Sequence, residues 1–88
     1  MTAEKEYKEE HIAKAIGQAL KTLRKEKGMS QSDVYFKCGL DRGVYQRYDA
    51  GHVSRPSTLN LIKISEALGI SPGEIINRAY SILKGEGK

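Results

Sequence analysis

Cysteine is almost absent from this chain: Cys38 is the only one in 88 residues. That excludes an internal disulfide framework and a multi-cysteine zinc site. Histidine is nearly as scarce. His11 and His52 lie far apart, without the spacing of a ligand set, so no metal is expected. No paired Ser/His/Asp set or glycine-rich phosphate loop occurs, which argues against an enzyme and against a cofactor. No apolar run approaches the ~20 residues that span a bilayer. The opening residues, MTAEKEYKEE, lack the basic start and apolar stretch of a signal peptide, so a cytoplasmic protein is expected. The β-branched alternation that marks strands is missing, as are long linkers, low-complexity segments and internal repeats.

What is present is a globular mixture, 39% hydrophobic and 30% charged. The length suits one small domain over residues 1–88. Without cross-links its core must pack well or be completed by oligomerisation. The net charge of +4 is uneven. Residues 1–11 carry Lys5 and Lys8 against Glu4, Glu6, Glu9 and Glu10, a balance of −2; residues 12–88 carry 13 basic and 7 acidic side chains, a balance of +6. A basic body fits a polyanion partner. Within the acidic N-terminal extension, residues 1–11, the stretch Glu4 to Glu10 has the wrong sign for an arm that grips DNA and reads as a solvated first turn.

Five helices can be read. The first runs from about Tyr7 to Lys27, with Ile12, Ile16, Leu20 and Leu23 at helical spacing and Gly28 as its stop. Ser30 caps a short second helix, Gln31 to Cys38, ended by Gly39. Asp41 caps a third, Arg42 to Ala50, ended by Gly51. After the basic loop His52-Val53-Ser54-Arg55-Pro56, a fourth helix covers roughly Ser57 to Leu68. Ser71-Pro72-Gly73-Glu74 has the cap, proline and glutamate of a helix start and opens a fifth over residues 72–84. Residues 31–51, with their glycine-led turn Gly39-Leu40-Asp41, have the layout of a DNA-binding helix-turn-helix. An ordinary helical hairpin in a small bundle has the same outline.

Three stretches carry a wider resemblance: IGQALKTLRKEKGMSQSDV from Ile16, CGLDRGVYQRYDAG from Cys38, and RPSTLNLIKISEALGISPGEII from Arg55. Together they resemble the lambda-repressor-like helix-turn-helix family of Cro and Xre type, and lone domains of this size also resemble controller proteins of restriction–modification systems. The resemblance implies an all-α, compact five-helix DNA-binding domain. It implies a transcription regulator that binds double-stranded DNA as a homodimer, with the helix 42–50 in the major groove. Arg42, Gly43, Val44 and Arg47 would face base edges. Gln31, Gln46, Arg55 and Ser57 would contact the DNA backbone. Arg24 and Asp49 would form a structural ion pair between the first and third helices. Arginine suits guanine, because its fork matches O6 and N7.

The chain departs from the family where Tyr35 stands for alanine and Tyr45 for a small aliphatic residue. With Phe36 and Tyr48 they make a set of aromatics with two readings. One is a repacked core. The other, tied to the alternative that the chain is an antitoxin-like or adaptor protein, is a surface for a partner protein. Finally, Ile75, Ala79, Ile82 and Leu83 form an apolar stripe on the fifth helix. It is expected to pair two chains, unless it folds back onto the first helix near Ile12 and Ile16.

Overall fold

The structure is a computed structural model that describes residues 7–85. Five helices follow one another: α1 (Glu9–Glu26), α2 (Gln31–Cys38), α3 (Arg42–Asp49), α4 (Thr58–Leu68) and α5 (Pro72–Leu83). The described residues contain no strand, and none of their helices is long and apolar enough to cross a membrane.

Local chemistry explains most boundaries. Glu9 and Glu10 sit in the first turn of α1, Arg24 and Lys25 in its last, as the helix dipole favours. At α2 the cap is reciprocal: the Asp33 N–H donates to Ser30 Oγ at 3.1 Å, and the Ser30 N–H donates to the Asp33 carboxylate at 2.8 Å. The bond from the Ser30 N–H holds the Asp33 carboxyl below its usual range. Gly39 and Gly69 end α2 and α4 at φ 74°, in the left-handed region where a side chain is strained. Ser57 Oγ accepts from the Asn60 N–H at 3.0 Å and opens α4. Asp41 takes the cap position of α3 but makes no side-chain cap bond.

The core is one cluster drawn from every helix: Leu20 and Leu23 of α1, Val34 and Cys38 of α2, Tyr45 and Tyr48 of α3, Leu61, Ile64 and Leu68 of α4, Ile75 and Ala79 of α5. Leu40, in the turn, packs against it. The four aromatics therefore do not form one surface. Tyr45 and Tyr48 are buried, Tyr35 is half-buried, and Phe36 alone is largely exposed. The reason is register: Tyr45 and Tyr48, one turn apart, share the inward face of α3.

The apolar stripe of α5 does not lie outward either. Ile75 and Ala79 are buried within the chain, and Ile82 and Leu83 are half-buried against the core. Ile82 and Leu83 line a cleft with His11, Ala15 and Gln18 of α1. Arg78 reaches Glu26, at the far end of α1, with a two-pronged bond of 2.9 and 3.3 Å. Thus α5 runs back along α1, whose 18 residues extend about 27 Å and can receive its whole length. Within one chain α1 and the core thus cover Ile75 and Ala79 fully and Ile82 and Leu83 in part.

One crossing has no slack. A Cβ on Gly17 would stand 2.7 Å from the Gly51 nitrogen and 2.9 Å from the Asp49 carbonyl oxygen. A Cβ on Gly51, at φ 83°, would in turn stand 3.2 Å from the Lys14 Cα. The two glycines let the end of α3 lie directly on α1. Gly17→Ala is therefore expected to cost about 1–3 kcal/mol by forcing backbone apart. Gly43, helical with open space around it, is the contrast: Gly43→Ala should gain up to about 1 kcal/mol. Urea unfolding of the two variants checks both signs.

Candidate nucleic-acid interface

The inward face of α3 ends in a carboxylate. Asp49 is fully buried, and four donors converge on it. Arg24 Nε donates to Oδ2 at 2.7 Å and Arg24 Nη2 to Oδ1 at 3.2 Å. The Tyr45 hydroxyl donates to Oδ2 at 2.8 Å, and the Gln31 side-chain amide to Oδ1 at 3.1 Å. Arg24 is itself only 11% exposed and donates also to the Met29 carbonyl at 3.3 Å. The network thus joins α1, α2 and α3. Burial, reinforced by the Asp49 charge, pushes the Tyr45 phenol well above its ordinary range, so it stays an O–H donor.

With Tyr45, Tyr48 and Asp49 turned inward, Arg42, Gly43, Val44 and Arg47 are all exposed along the other side of α3, and Gln46 is half-buried. The arginines divide in the same way. Arg24, Arg55 and Arg78 are each held by a carboxylate. Among the described residues no ion pair engages Arg42 or Arg47, so both guanidinium groups of α3 keep their donors for an outside partner.

The backbone-contact candidates are held in different ways. Gln31 begins α2, and one of its amide hydrogens is already given to Asp49. The Tyr48 hydroxyl accepts from the Ser57 N–H at 3.3 Å and from Asn60 Nδ2 at 3.1 Å, which pins the start of α4 to α3. Arg55, in the preceding loop, points away from any free state: its Nη2 donates to Glu9 at 2.6 Å, and Ser54 Oγ donates to the same carboxylate at 3.0 Å. These two bonds hold the Glu9 carboxyl below its usual range. Glu9 lies in the extension read as merely solvated, and it was not foreseen as a partner of the basic loop. Opposite charges at residues 9 and 55 were visible, but nothing local brings together positions so distant in sequence.

Gly17 was likewise missed as part of the site's scaffold. Its signal was a glycine inside an unbroken helical pattern, which costs helix propensity unless a close approach requires it.

The Asp49 network generates a clear expectation. Asp49→Asn replaces an acceptor by a donor where four donors meet and leaves Arg24 uncompensated; it should cost about 3–5 kcal/mol. Tyr45→Phe removes one hydrogen bond to a charged group and should cost about 1.5–3 kcal/mol. Equal urea midpoints for both variants and the parent would show that the network carries no stability.

Comparison with known proteins gives three findings. The HTH_3 helix-turn-helix family matches residues 20–75. The restriction-modification controller protein C.AhdI from Aeromonas hydrophila has a solved structure similar to this one: 36% identity, 72% of this chain and 94% of that chain covered, TM-score 0.65. The clp gene regulator ClgR from Corynebacterium glutamicum is similar in fold, at 21% identity, 85% and 79% coverage and TM-score 0.75. No curated protein matches the chain.

Proposed function

Because this chain belongs to the HTH_3 helix-turn-helix family and is a DNA-binding transcription regulator, we propose that it recognises a specific operator in double-stranded DNA as a homodimer, with α3 in the major groove. The observation that carries this reading is the division of α3. Its inner face is locked by Tyr45, Tyr48 and Asp49, while its outer face carries the two arginines that no carboxylate holds among the described residues. Arg42 and Arg47 read guanine edges, and Val44 meets a thymine methyl group. Gly43 lets the helix backbone approach the groove closely. Gln31, Gln46, Arg55 and Ser57 fix the register through phosphates. A restriction-modification controller is among the proteins this chain resembles, which supports a regulatory role at a promoter.

Selection of bound sequences from a random duplex pool tests the reading: a two-fold symmetric motif is expected, and recovery of unenriched sequence would overturn it. On the selected duplex, Arg42→Ala and Arg47→Ala should each cost about 1–3 kcal/mol and relax preference at one base pair. Arg55→Ala should weaken every duplex alike and lower the salt slope by about one unit. Glu9→Gln should strengthen every duplex, because Arg55 must exchange the Glu9 carboxylate for a phosphate. Titrations against specific and random DNA over a salt series separate these outcomes.

The homodimer uses a different surface from the buried stripe. On α4, Leu59 and Ile62 are exposed one turn apart; on α5, Ile76 and Tyr80 are exposed one turn apart. These two helices pack together. A two-fold axis through the exposed apolar side chains removes them from water in both copies at once. It also sets the two α3 helices to read successive half-sites, about 34 Å apart. Sedimentation at micromolar concentration is expected to give a dimer, and Ile76→Glu a folded monomer. A parent chain that sediments as a monomer would overturn the interface.

A further inference from the structure

Phe36 is 76% exposed, the most exposed of the large apolar side chains described. It stacks on its neighbour Tyr35, ring centroids 4.7 Å apart and planes 25° from parallel. Consecutive residues do not normally face one another on a helix. Here the half-buried Tyr35 ring both stacks with Phe36 and has the Arg42 guanidinium over it, 6.0 Å from its centroid. Tyr35 thus links α2 to the first residue of α3.

We propose that Tyr35 is a positioning residue for base readout, holding the Arg42 guanidinium by its flat face, with Phe36 stacked on the ring. This rests on the reading that Arg42 faces bases. The chemistry of the contact favours the role. A carboxylate would hold the arginine by consuming its N–H groups, as Glu9 does to Arg55 and Glu26 to Arg78. A ring holds it through the face of the π system and leaves the donor edges free for a guanine. An exposed arginine otherwise loses the freedom of a long side chain on binding, and a partner that orders it beforehand reduces that loss. Among the described residues neither a carboxylate nor an aromatic ring meets Arg47, so the effect is specific to one of the two arginines. A bulky tyrosine where the helices of the motif approach each other thereby has a use beyond filling space.

The test is a double-mutant cycle on the selected duplex and on a random duplex of equal length. Tyr35→Leu should weaken the selected duplex about two- to fivefold, the size of an exposed cation–π contact, and leave the random duplex unchanged. Tyr35→Phe should retain the parent's discrimination. Phe36→Ala, at an exposed site that cannot unfold the protein, should lose part of it. In an Arg42→Ala background, Tyr35→Leu should have no further effect. Equal loss on both duplexes, or an undiminished Tyr35→Leu effect without Arg42, overturns the positioning role while Arg42 remains a base reader. Unchanged discrimination in Arg42→Ala alone overturns the base-reading assignment and the positioning role with it.

Discussion

Asp49 is the constraint from which the arrangement of this domain follows. A carboxylate with no exposure to water must have its lone pairs filled, and here the donors come from three helices: Arg24 of α1, Gln31 of α2 and Tyr45 of α3. A buried ion pair adds little net stability by itself, because desolvation offsets most of the attraction. Its effect is to make other arrangements costly. If α3 rotates about its axis or slides along α1, a buried charge loses its partners. The outward direction of Arg42, Gly43, Val44 and Arg47 is the complement of that inward requirement.

The glycine crossing acts on the same joint. Gly17 and Gly51 bring the end of α3 against the backbone of α1, close enough for the Arg24 side chain to reach Asp49 with two of its nitrogens. Tyr48 continues the chain of constraints to the next element, since its hydroxyl receives donors from Ser57 and Asn60 at the start of α4. The exposed face of a short helix is thus held from its C-terminal half, through Tyr45, Tyr48 and Asp49, by polar contacts with definite geometry, where a purely apolar core would tolerate more rotation.

Charge is distributed with similar economy. Five arginines serve three purposes. Arg24 is buried in the network, Arg55 and Arg78 fasten a loop and a helix to α1, and Arg42 and Arg47 stay unpaired on α3. The acidic start of the chain belongs to this scheme. Glu9 neutralises Arg55, so the basic loop does not present that guanidinium as a bare cation.

The amino-acid order by itself determined the five helices and their limits, because caps, glycine stops and a 3.6-residue period act within a few residues of each other. Ser30 with Asp33, Gly39 and Gly69 needed no distant partner to be read. The pairing of Arg24 with Asp49, implied by family resemblance, is a contact the structure contains. Tertiary structure alone decided which apolar face of α5 would be covered, since Ile75, Ala79, Ile82 and Leu83 are equally suited to another chain or to α1. It decided that Tyr45 and Tyr48 lie inside while Phe36 lies outside, that Gly17 is a crossing point, and that Glu9 meets Arg55. Each of these depends on what a residue meets across dozens of positions of chain. Hydrophobic periodicity says that a face must be buried, and only the packing of whole helices says against what.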